Sequence, residues 1–152
     1  FDKARKSGFL TVAHAGEEGP AKYVWEALNL LKVSRVDHGN HSLDDDKLVK
    51  ELVKRKIPMT VCPLSNLKLK VVKDLKKHPL KVMMAKKLLV TINSDDPAYF
   101  GGYINENYLA ISKALKLSKK DIYTLAKNSF KASFLSENGK EKMLKKLDEF
   151  YK

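Results

Sequence analysis

Four short apolar segments rich in β-branched residues each run straight into a polar cluster, and the clusters are anchored at His14, His38, Cys62 and Asp95. Gly8-Phe9-Leu10-Thr11-Val12-Ala13 leads to His14, and 33–37 leads to His38-Gly39. Residues 57–62 lead to Pro63-Leu64-Ser65-Asn66, and Leu88-Leu89-Val90-Thr91-Ile92 leads to Asn93-Ser94-Asp95-Asp96-Pro97. Runs of this length and composition read as buried strands. Helical patterns separate them. Gly19-Pro20 opens a helix with the apolar face Val24, Ala27, Leu28 and Leu31, since proline suits a first turn where its missing N–H would have no partner. Ser42 with Asp45 reads as a cap ahead of the stripe Leu48, Val49, Leu52 and Val53. A further helix is expected near 79–87. After Gly101-Gly102 the pattern is helical throughout: 103–115, 118–127 and 140–150.

Strand and helix in strict alternation predict parallel strands joined by helical crossovers. The separation of the anchors suits one βα unit each. Doubly wound sheets and (β/α)8 barrels both place chemistry at the C-terminal ends of their strands. No Gly-rich phosphate fingerprint follows the first strand, and chemistry at consecutive strand ends suits a ring converging on one axis. The expected fold class is therefore α/β and barrel-like. Four units make half a TIM-type barrel, which needs about 250 residues.

With 152 residues and 43% hydrophobic content, the chain can bury one modest core. No apolar run approaches the roughly 20 residues of a membrane span, and the charged start Phe1-Asp2-Lys3-Ala4-Arg5-Lys6 does not resemble a signal peptide. Cys62 is the lone cysteine, which excludes a disulfide scaffold and fits a cytoplasmic protein. The net charge of +12 suggests nucleic acid at first sight. Only Arg5, Arg35 and Arg55 are arginines, however, and the lysines lie at helical surface spacings without interleaved aromatics. A solvated lysine coat is the better account, and neither a nucleic-acid nor a membrane partner is expected.

The polar clusters carry the chemistry. His14 leaves a buried strand where it can bind a metal, and Glu17 follows one turn later. Gly16 between them permits close approach of backbone and ligand. A glutamate in a dry pocket can serve as an acid near neutral pH. His38, followed by Gly39, can act as a base or proton shuttle. Adjacent Asp95 and Asp96 repel one another when buried, so one can bind metal while the other binds substrate. Each cluster also has a structural reading, as a satisfied histidine, a helix-start carboxylate or a solvated turn. Cys62 does not read as a nucleophile, because Pro63 follows and no helix start is assured. His41 and His78 are expected in loops or on helix surfaces, with no role. His14 and Asp95 are only two ligands, whereas a catalytic zinc site takes three or more, and no His-x-His motif is present.

Thr11-Val12-Ala13-His14-Ala15-Gly16-Glu17, Asp37-His38-Gly39, Cys62-Pro63-Leu64-Ser65-Asn66 and Asn93-Ser94-Asp95-Asp96-Pro97 resemble, in order and spacing, the adenosine/adenine deaminase family of metal-dependent hydrolases. The resemblance runs from about Phe9 to the final helices. It is closer to the adenine deaminases, which share Arg35-Val36-Asp37-His38-Gly39, whereas typical adenosine deaminases have Gly at the position of Asp37. The resemblance implies the last four βα units of a TIM-type (β/α)8 barrel plus C-terminal helices. It implies hydrolytic deamination of adenine to hypoxanthine and ammonia in purine salvage. His14 and Asp95 would be Zn2+ ligands and Glu17 the proton donor to ring N1. His38 would orient the attacking hydroxide, and Asp96, with Gly16, would contact the purine.

In this family the first barrel strand supplies two further zinc histidines through His-x-His. Residues 1–152 are thus expected to be the C-terminal part of a single purine deaminase domain, with the N-terminal half of the barrel as a needed partner. Alone the chain is expected to be inactive and marginally stable, with open sheet edges. Two alternatives stay open: deamination of adenosine or another 6-aminopurine nucleoside, and a non-enzymatic relic serving as a basic binding module.

Overall fold

A computed structural model describes residues 1–152. Its centre is a sheet of strands β1 (Val12–Ala15), β2 (Arg35–His38), β3 (Pro58–Val61) and β4 (Leu89–Ile92), in that spatial order. All pairings are parallel, with Ala15 opposite His38, Asp37 opposite Thr60 and Thr60 opposite Thr91. Each strand lies beside the next in sequence, without the reversal of order that defines a doubly wound sheet. The fold is α/β, four successive βα units of the barrel type followed by helices.

The helices are α1 (Asp2–Lys6), α2 (Ala21–Glu26), α3 (Asp46–Arg55), α4 (Pro63–Lys68), α5 (Leu80–Ala85), α6 (Pro97–Phe100), α7 (Ile104–Leu115), α8 (Lys119–Ala132) and α9 (Glu137–Tyr151). No helix is long and apolar enough to cross a membrane. A π-helical turn, Ala27–Leu31, extends α2. Helix α8 packs on β4, where Asn128 Nδ2 donates to the Val90 carbonyl.

Lysines close several of the helices. Lys32, Lys56 and Lys116 adopt left-handed backbone at the ends of the π turn, α3 and α7. That conformation frees the chain to reverse, but it costs a residue with a Cβ about 1 kcal/mol and usually selects glycine.

Several sequence expectations need correction. The first strand is not 8–13 but Val12–Ala15, so His14 lies inside it rather than beyond it. Ser42 does not cap α3. Asp45 does, accepting from the N–H groups of Lys47 and Leu48, while Ser42 is fully buried with its hydroxyl 3.7 Å from Met59 Sδ. Cys62 does stand at a helix start, because Pro63 opens α4. Helices α1, α4 and α6 are too short for a periodic signal in the sequence.

Alternation along the strands sorts the sheet into two chemically distinct faces. Ala15, Val36, Met59, Val61, Val90 and Ile92 join Val24, Leu28, Leu48, Leu52, Leu80, Met83, Ile111 and Leu125 in one buried core under the helices. The opposite face presents His14, Arg35, Asp37, Thr60 and Asn93 to a cavity. Arg35 ties this face to the C-terminal helices: its guanidinium lies 4.6 Å from the Phe134 ring centroid and donates to the Ala132 carbonyl.

Candidate active site

The cavity on the polar face has a volume of about 270 Å3 and is lined by His14, Asp37, His38, Cys62 and Asp95 among others. Every β-strand contributes, either directly or through the residues that follow it. A larger cleft of about 1110 Å3 opens elsewhere, among Val53, Lys56, Leu89, Asn128 and Lys140, and none of the expected site residues lines it.

His38 is the centre of the site. It ends β2 with φ +67°, a left-handed conformation that swings its ring away from the core, to which its strand neighbour Val36 belongs. Asp95 likewise adopts left-handed backbone, with φ +58°. Left-handed backbone at residues with side chains is a cost that folds concentrate at functional sites. The His38 ring is 2% exposed and stands between two carboxylates. Its Nδ1 is 3.2 Å from Glu17 Oε1, and its Nε2 is 3.8 Å from Asp95 Oδ2. The Nδ1 atom has no hydrogen bond of good geometry. Burial, and then the neighbouring His14, hold the His38 pKa below the usual range, against the opposing pull of Asp95 and Asp37.

His14 lies beside His38, with ring centroids 4.8 Å apart, and its Nδ1 is 3.8 Å from Asp37 Oδ2. Its side chain is 67% exposed and faces the open cavity. Asp37 is held from its other side by Thr60 Oγ1, which donates to Oδ1 at 2.8 Å, and by Arg35 Nε at 3.6 Å.

Glu17 follows the β1 turn. Gly16 makes that turn with φ +67°, and a Cβ there would stand 2.6 Å from Val24 Cγ2. Burial raises the Glu17 pKa, and the Asp95 carboxylate raises it further, against His14 and a hydrogen bond from Asn66. Asp96 is exposed at the head of α6 and does not line this cavity. The structure thus brings Glu17, His38, Asp95 and His14 together and leaves Asp96 apart.

The ligand atoms of His38, Cys62 and Asp95 lie within 4.8 Å of one another, a spacing that could hold a metal ion. With the His14 imidazole facing the same cavity, nitrogen and carboxylate donors suited to zinc are present. Cys62 is a poor nucleophile despite its helix start. Burial, then Asp95, Glu17 and Asp37, push its thiol pKa up, and Sγ donates to the Thr60 carbonyl at 3.5 Å.

Sequence reasoning missed the layer beneath the site. His78, expected in a loop or on a helix surface, lies between helical elements but is buried, and with Asn40 and Asn66 it forms a polar cluster behind Glu17.

Comparison with known proteins bears on this geometry. The adenine deaminase of Crocosphaera subtropica is 62% identical over 143 residues, covering 94% of this chain and 44% of the relative. That of Chlorobium phaeobacteroides is 55% identical over 152 residues, covering 100% and 45%. The chain therefore spans less than half the length of these curated relatives. Among solved structures, the adenine deaminase of Arthrobacter aurescens superposes with a TM-score of 0.96 at 46% identity, over 98% of this chain and 46% of the other. An amidohydrolase from Burkholderia ambifaria with bound Zn gives 0.90 at 27% identity, over 99% and 42%. The family model described as adenosine deaminase matches residues 1–150, and the chain belongs to that family.

Proposed function

We propose that these residues form the C-terminal part of a single deaminase domain that hydrolyses adenine to hypoxanthine and ammonia, with further barrel strands completing the site. The observation that carries this reading is the contact of Glu17, His38 and Asp95 at the ends of β1, β2 and β4 of one parallel sheet. The names of the curated relatives support adenine as the substrate.

His14 and Asp95 would hold a zinc ion together with ligands from outside this chain. Zinc supplies the activation of water at neutral pH. Glu17, whose carboxyl pKa is raised by burial, donates its proton to ring N1, which makes C6 open to attack. His38 stays neutral, so it can orient the attacking oxygen and take up a proton as ammonia leaves. Asp96 meets the five-membered ring at N7, and Gly16 lets the purine approach the backbone. A cytoplasmic location fits salvage of a free base.

The test is turnover of adenine and adenosine, side by side, by the intact protein with zinc supplied. Adenine preferred by at least about a hundredfold in kcat/KM is expected. A nucleoside preferred by that margin overturns the substrate, and no turnover of either overturns the reaction. Stripping the metal should abolish the activity and zinc should restore it.

A further inference from the structure

Behind Glu17 lies a buried chain of hydrogen bonds whose direction is fixed at one end by backbone. The N–H of Leu80 donates to His78 Nδ1 at 3.1 Å. A backbone amide can only donate, so Nδ1 must carry a lone pair. In a neutral imidazole the proton then sits on Nε2. His78 Nε2 lies 3.2 Å from Asn66 Oδ1 and donates to it. Asn40 Nδ2 donates to the same oxygen at 2.9 Å. Two donors converging on one atom settle which end of the Asn66 amide is oxygen. The amide nitrogen is left facing Glu17, and it donates to Oε1 at 3.2 Å. Asn66 is fully buried, and His78 and Asn40 are nearly so, which leaves the amides little freedom to turn over.

We propose that His78 and Asn66 are positioning residues that fix which oxygen of Glu17 carries the transferable proton. The proposal rests on the assignment of Glu17 as proton donor. Oε1 already receives the Asn66 N–H and has His38 Nδ1 3.2 Å away. The Asn66 N–H points at Oε1, and the carbonyl oxygen of a carboxylic acid is the better acceptor, so the proton resides on Oε2. The relay thereby selects one of two otherwise equivalent carboxyl states before substrate arrives. Neither His78 nor Asn66 touches substrate.

The experiment combines two readouts on the intact zinc-loaded protein. Long-range 1H–15N spectra of 15N-histidine-labelled protein, assigned by loss of a signal in H78Q, should show His78 as the Nε2–H tautomer alone. The Nδ1–H tautomer, or a mixture, overturns the relay whatever the activity. In kinetics, His78→Leu removes the donor and should lower kcat about tenfold or more with KM changed less than about threefold. His78→Gln keeps an N–H at the Nε2 position and should restore kcat to within about threefold of wild type. Equal losses in the two variants, or a loss confined to KM, overturn the proposal. If His78→Leu fails to fold, Asn66→Asp replaces the donor by an acceptor at similar volume, and a kcat unchanged in that variant overturns it. Loss of the Glu17 assignment itself would show separately, as full activity in Glu17→Gln with the His78 tautomer intact.

Discussion

Oε1 of Glu17 lies 3.2 Å from Nδ1 of His38, although the two side chains come from different βα units. A carboxyl with raised pKa and an imidazole with lowered pKa face one another, so both shifts favour the uncharged form of each group. That is the inverse of an ordinary Glu–His ion pair, and it suits an acid working beside a neutral base.

Glu17→Gln keeps the shape of the side chain and removes its acid. The expected loss in kcat is about 10²–10⁴, without a change in melting temperature beyond about 2 °C. Steady-state kinetics beside a thermal scan check both. Activity within about tenfold of wild type would remove Glu17 from the mechanism.

His78 has its pKa lowered by burial from 6.5 to about 4. An unfolded histidine takes up a proton in that window and the folded one does not. Stability contributed by His78 is therefore full above pH 6.5 and lost as pH falls towards 4. The span amounts to roughly 3 kcal/mol. Urea denaturation of wild type and His78→Gln between these limits should show a flatter pH dependence in the variant. Parallel curves would refute the buried neutral state.

Lys56 ends α3 in left-handed backbone at φ 52° and is exposed. Lys56→Gly relieves the Cβ strain and should stabilise the protein by about 1 kcal/mol, measured by chemical denaturation. A destabilisation would mean that the lysine side chain makes a compensating contact.

Gly16→Ala meets two obstacles, a positive φ and Val24 Cγ2 at 2.6 Å from the new Cβ. A loss of about 1–3 kcal/mol is expected, together with a fall in kcat as the turn displaces Glu17. Adding Val24→Ala should recover part of the kcat loss but not the cost of the backbone conformation. Full activity in Gly16→Ala alone would show that the turn tolerates a side chain.

The parallel alternation of strands and helices was legible because each βα unit repeats one pattern of apolar run and polar stop. The pairing of Glu17, His38 and Asp95 was legible in part, since residues past the C-terminal ends of the strands of one parallel, barrel-type sheet face a common axis. The left-handed backbone of His38 and Asp95 was not, because the mild preference of His and Asp for it is too weak to locate it and tertiary packing imposes it. His78 was hidden for a related reason. Its neighbours in sequence are lysines and a proline, and its burial depends on Asn66 and Asn40, contacts no window along the chain contains.

The separation of the sheet into an apolar face under the helices and a polar face towards the cavity divides mutations into two populations. Changes at Val36, Met59 or Val90 are felt as folding defects, while changes at His14, Asp37 or Thr60 act first on what the cavity can hold and recognise. Such a sheet can trade one substrate for another by substitution at alternate positions of its strands. Its descendants could diverge in chemistry while remaining superimposable in shape.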